Sequence, residues 1–123
     1  MMMTNLARLT LVLAIGTNGA CAMDAPGGDA AKGKQLFMAD GCAYCHGTVG
    51  QGGGGRAGGL RLAQMPIPFV AFLNQLRHPG NEMPPYVAAV LSDQDATDIF
   101  AFLASLPPPP DPKSIPILNN LDK

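Results

Sequence analysis

The stretch GCAYCHG, residues 41–47, sets two cysteines with two residues between them and places a histidine directly after the second. Three chemistries use a C-x-x-C pair: a redox dithiol, half of a zinc site, and the covalent attachment of haem. The histidine favours the third. There, Cys42 and Cys45 would each form a thioether with a haem vinyl group, and His46 would stand where its imidazole meets the iron. A dithiol enzyme would place the pair at a strand end ahead of a helix, and no strand pattern lies nearby. A structural zinc site takes four protein ligands, but beyond these three the chain offers only Cys21, His78 and carboxylates, with no second C-x-x-C.

The rest of the chain suits a cofactor-centred domain. With 123 residues, 15 of them glycine and 12 proline, little is left for regular structure or for a large apolar core. A buried haem would supply the missing apolar centre. Residues 1–22 read as an export signal: Arg8 gives a positive start, LTLVLAIG is a short apolar stretch, and Ala20-Cys21-Ala22 has the small-x-small form of a cleavage site. Cleavage before Met23 is the preferred reading. NGAC also resembles a lipoprotein site, which would leave a lipid anchor on Cys21, although Asn18 is a poor residue where such sites carry Leu. The apolar stretch is too short to make a good membrane span, and no other segment could serve as one. Loss of Arg8 takes the Lys and Arg count from 8 to 7 against nine acids, a balance that argues against nucleic-acid binding.

Outward from the cysteines, residues 23–28 form a flexible lead, and Asp29 is placed to cap a helix running to about Ala39. Gly33 and Phe37 share one face of it, and a glycine there costs about 1 kcal/mol relative to alanine. Residues 47–59 are dominated by glycine and must be a loop. It is not a phosphate-binding loop, because no G-K-[ST] ending and no preceding strand accompany it. Pro66 and Pro68 start a short helix, PFVAFLNQLR, with Phe69, Phe72, Leu73 and Leu76 on one stripe, and His78-Pro79-Gly80 ends it. The last helix is capped by Ser92, carries Asp93 and Asp95 in its first turn and stops at the proline run from Pro107. Its expected stripe is Ala96, Ile99, Phe102 or Phe100, Leu103 and Leu106. Residues 107–123 read as a stiff, extended tail, either disordered or docked through Ile115, Ile117 and Leu118 on this domain or on a partner.

If His46 binds one side of an iron, a closed electron-transfer site needs a second ligand, whereas a site for oxygen or peroxide leaves that position open. Met83, in NEMPPY, is the preferred ligand. It lies in an irregular segment between two helices, and Pro84 and Pro85 limit the freedom of the backbone after it. Met65 and His78 are the competitors, and Met38 and Met65 are read as core filling.

Taken together, GDAAKGKQLF, GCAYCHG, LRLAQMPIP, LRHP, MPPY and LSDQDATDIFAFLASLP resemble the class I cytochromes c, in particular small exported monohaem forms, over about residues 28–106. The resemblance implies an all-α fold of three to five short helices wrapped around one haem c, with residues 29–106 as the haem domain. It implies axial iron ligation by His46 and Met83, and first and last helices that cross near Gly33 with Phe37 against Phe102. In that family a proline carbonyl commonly accepts the ring N–H of the axial histidine; here Gly59-Leu60 aligns with the family's Gly-Pro, and leucine keeps the carbonyl without the rigid turn. Arg61 and Arg77 are the candidates for contacts with the haem propionates, against the alternative that each is simply solvated. The expected function is that of a periplasmic carrier of single electrons between redox proteins, such as a donor dehydrogenase or quinol-chain component and an acceptor oxidase or reductase. It would act as a monomer, and not as an enzyme by itself. The alternatives are the cytochrome subunit of a periplasmic dehydrogenase complex and, less favoured, a high-spin haem enzyme or gas sensor.

Overall fold

A computed structural model describes residues 27–53 and 58–118, and its described residues form helices without a strand. The order is α1 (Ala30–Ala39), α2 (Cys42–His46), α3 (Phe69–Arg77), α4 (Asp93–Ser105) and a short 3-10 turn at Pro112–Ser114. The Asp29 carboxylate starts α1 by accepting the backbone N–H groups of Ala31 and Lys32. Gly41, at φ +79°, adopts the left-handed turn between α1 and α2, a conformation that a side chain would disfavour. At α4, Ser92 and Asp95 close a reciprocal capping box, each side chain accepting from the other's backbone N–H. Pro68 stands one residue outside α3 as its N-cap, so that helix begins at Phe69.

Helices α1 and α4 form the principal contact of the fold. Gly33 is buried there, and a Cβ built on it would lie 1.9 Å from the Asp98 carbonyl oxygen. The crossing is therefore close enough to exclude any side chain at this position, which accounts for a glycine within α1. One turn on, Phe37 meets Phe102 with ring centroids 5.6 Å apart, as the family resemblance implies. Phe100 faces the other way and joins α3 to α4 through Phe69 and Phe72, with centroids at 5.6 and 5.3 Å. The expected alternative between Phe100 and Phe102 is thus resolved as both: the two aromatics serve opposite neighbours, and both are buried.

Asp98 is buried beside the crossing and meets three donors there. Its carboxylate accepts the Asp29 backbone N–H at 2.9 Å and the Gln94 side-chain amide at 3.0 Å, and it pairs with the Lys32 ammonium at 2.9 Å. Lys32 also pairs with Asp95 at 2.8 Å. These hydrogen bonds hold the Asp98 carboxyl below the usual carboxylate range, the Asp29 N–H contributing most. Lys32 does the same for Asp95. Both groups bind a proton less readily folded than unfolded, so the stabilisation is complete above the unfolded value of about 3.9 and is lost as the pH falls through the lower folded values. The urea midpoint should hold steady down to about pH 4 and then fall, and Asp98→Asn should flatten that decline. An equally steep acid decline in the variant would remove Asp98 from this role.

Some expectations require correction. Met38 is 47% exposed and fills no core, because it follows Phe37 and so points away from the face turned to α4. Leu106 is the C-cap of α4, one residue past its end, and still packs against the core as the stripe predicts. The tail is not extended throughout: Asp111 accepts the Lys113 N–H and the Ser114 hydroxyl, folding Pro112–Ser114 into the 3-10 turn. The export signal, its cleavage before Met23 and the alternative anchor at Cys21 lie outside the described residues.

Candidate functional site

Cys42, Cys45 and His46 share the single helical turn of α2, each half-buried. Both cysteines are free of disulfides. Burial pushes the Cys42 thiol up, and the Tyr86 hydroxyl beside it offsets this only in part. Redox dithiols depend on the opposite condition, a stabilised thiolate, so Cys42 is poorly suited to the dithiol chemistry. Among the described residues, no group of three or more His, Cys, Asp or Glu side chains is placed to hold a metal ion.

The imidazole of His46 is held from its far side. Its Nδ1 lies 2.8 Å from the Leu60 carbonyl oxygen, so Nδ1 carries the proton and Nε2 is left as the nitrogen able to bind a metal. Leucine therefore supplies the acceptor at the place where the resembling family has proline. The glycine loop frames the same residue: the Gly52 N–H donates to the His46 carbonyl at 2.8 Å, and the Gly53 N–H to that of Gly59 at 2.9 Å. A Cβ on Gly59 would stand 2.4 Å from the Cys45 carbonyl oxygen and 2.9 Å from Nδ1 of His46. Only glycine lets the loop pass this close to the imidazole.

Met83 is half-buried against the core in the segment between α3 and α4. Three contacts made by Tyr86 anchor that segment. Its N–H donates to the Leu76 carbonyl at 2.8 Å, its own carbonyl accepts from the Arg77 guanidinium, and its hydroxyl donates to the Asp40 carbonyl at 2.9 Å. The last bond ties the segment to the residues just ahead of Cys42. Burial, followed by the neighbouring Cys42, pushes the Tyr86 hydroxyl up to about 12, so it stays protonated and keeps donating at neutral pH. The side-chain amide of Gln75, on α3, reaches the Met83 sulfur at 3.9 Å.

The remaining candidates are placed differently. Met65 is half-buried and lines a small apolar pocket with Leu62, Phe100 and Leu103, as a core filler would. His78 is exposed at the end of α3. Arg77 is occupied by Asp93 as well as by the Tyr86 carbonyl, so it braces α3 against the start of α4. Arg61 is exposed and lines a groove with Val49 and the Pro107–Pro110 run. Tyr86 and Gln75 are site residues that the sequence reading missed. MPPY offered the only signal, an aromatic with a polar tip directly after the two prolines.

The donor set fits a haem attached through its vinyl groups. It comprises two free thiols and an oriented imidazole on one helical turn, a thioether on an anchored segment, and half-buried apolar side chains at Leu62, Met65, Ile67 and Leu73. No curated protein matches the chain. The family model described as cytochrome c oxidase, cbb3-type, subunit III, matches residues 28–103, which takes in α1, the cysteine turn, α3 and most of α4. On that match the chain belongs to this family: it is a c-type cytochrome, a carrier in electron transfer with covalently bound haem c and redox proteins as its partners.

Proposed function

We propose that the protein is a periplasmic carrier of single electrons, with one haem c attached at Cys42 and Cys45 and with His46 and Met83 as the axial iron ligands. The observation that carries this reading is the bond from His46 Nδ1 to the Leu60 carbonyl, which presents one defined nitrogen in one orientation. The haem, when bound, supplies the one-electron chemistry. The chain's own residues hold and position it. The cysteines fix it covalently, and Leu60 keeps the imidazole in one tautomer. Tyr86 and the two prolines after Met83 restrain the thioether segment, so that a ligand change need not accompany electron transfer. Thioether sulfur favours iron(II) and raises the reduction potential, which suits delivery to a terminal oxidase or reductase. The family name, that of an oxidase's cytochrome subunit, supports that class of acceptor. Among the described residues no helix is long and apolar enough to cross a membrane.

The test is the visible spectrum of exported protein matured with haem. Sharp reduced bands, with the weak far-red sulfur-to-iron band in the oxidised state, are expected. A high-spin spectrum that binds carbon monoxide rapidly would sink the carrier and favour a haem enzyme or gas sensor.

The tail supports a second reading, as the cytochrome subunit of a periplasmic dehydrogenase complex. Ile117 is 73% exposed at the end of a segment whose root is held firmly. Gln64 supplies that hold, donating its backbone N–H to the Leu103 carbonyl and its side-chain amide to that of Leu106. A complex that survives high salt and is lost on truncation after Leu106 would favour this reading, whereas a monomer indifferent to the truncation would count against it.

A further inference from the structure

We infer that Gln75 is a positioning residue for the Met83 sulfur, setting both how firmly that sulfur is held and how readily it gives up electron density. The inference rests on the reading of Met83 as an axial ligand. A thioether sulfur has two lone pairs, so one can face a metal while the other accepts a hydrogen bond. The Gln75 amide Nε2 lies 3.9 Å from the Met83 sulfur, within the longer reach that a sulfur acceptor allows. The Gln75 side chain is exposed, and the backbone at both ends of this contact is restrained. Gln75 lies within α3, next to Leu76, which is buried and whose carbonyl accepts the Tyr86 N–H. Met83 sits three residues before Tyr86, whose contacts with Leu76, Arg77 and Asp40 anchor the segment. The same helix turn therefore supplies the amide that meets the sulfur and the carbonyl that anchors its segment.

Two consequences follow. A donor on the second lone pair withdraws electron density from sulfur, makes it a poorer partner for iron(III), and so raises the reduction potential. The hydrogen bond also opposes departure of the sulfur. Losing a net contact of ordinary strength should make an external ligand about fivefold more effective at displacing it.

Gln75→Leu keeps the bulk and removes the donor, whereas Gln75→Ala removes both. In haem-loaded protein, Gln75→Leu should retain the far-red sulfur band, show a lower potential than the wild type, and bind imidazole in the ferric state about fivefold more tightly. Gln75→Ala should match Gln75→Leu in the direction of both shifts. Thermal melts of the loaded variants establish that each is folded, and Gln75→Asn replaces any variant that is not, its shortened amide falling short of the sulfur. Wild-type potential and imidazole affinity in Gln75→Leu, with the far-red band present, would overturn the role of Gln75 and leave Met83 as a ligand. Absence of the far-red band from the wild type would overturn the ligand reading, and the role of Gln75 with it.

Discussion

Gly33→Ala should lower the stability of the haem-loaded protein by about 3 kcal/mol, the upper part of the usual range for overpacking, and its melting temperature by about 15 °C. Alanine is the better helix former by about 1 kcal/mol, so propensity alone predicts a gain. Steric overlap decides the sign. The new methyl carbon would fall 1.9 Å from the Asp98 carbonyl oxygen and 2.3 Å from its carbonyl carbon, and both are main-chain atoms. No side chain can swing aside to make room. The carboxylate of the same Asp98 is held from the α1 side by Asp29 and Lys32, so the two helices cannot separate locally without breaking those contacts. Relief requires α1 to lift from α4, which opens the Phe37 and Phe102 pair as well. Thermal melts of Gly33→Ala and wild type decide the matter, and an unchanged or higher melting temperature would refute a close crossing.

Met83→Ala should abolish the far-red band and convert the oxidised protein from low to high spin, without disturbing covalent attachment at Cys42 and Cys45. An outside ligand must wait for the internal one to leave, so its apparent affinity is reduced by the open fraction. For an open fraction of about 1%, removing Met83 raises the ferric affinity for imidazole by about a hundredfold. The potential should fall at the same time, because the soft sulfur no longer favours iron(II). Met65→Ala and His78→Ala serve as controls that leave the band in place. If Met65→Ala erased the band and Met83→Ala did not, the sixth ligand would be Met65, whereas a low-spin wild type without the band that turned high-spin only in His78→Ala would assign it to His78.

The helices are legible in the sequence where their ends carry chemistry. Asp29, the Ser92 and Asp95 pair and the proline run from Pro107 each act on the backbone within a few residues, so composition alone marks those boundaries. The attachment motif is legible for a similar reason, since Cys42, Cys45 and His46 lie on one turn. Contacts that close over long separations are not. The Tyr86 hydroxyl meets a carbonyl 46 positions earlier, and the Asp98 carboxylate meets an N–H 69 positions away. Neither residue belongs to a periodic pattern. Asp98 in particular gains its role only from the crossing at Gly33, which brings Asp29 and Lys32 over it. Arg77 is a further case. Sequence reasoning offers it to a propionate, and its contacts with the Tyr86 carbonyl and Asp93, both made across the fold, carry no signal in the sequence.

The partners that frame His46 have a consequence for divergence. The ring bonds to the Leu60 carbonyl, and the His46 carbonyl accepts from the Gly52 N–H, so both fastenings are made by main-chain atoms. Side chains on the same stretch are left outward: Leu60 is 80% exposed and Val49 46%. Substitutions at these two positions can therefore accumulate without loosening the imidazole. One short loop can conserve the setting of the iron while its outer face is rewritten for a new redox partner.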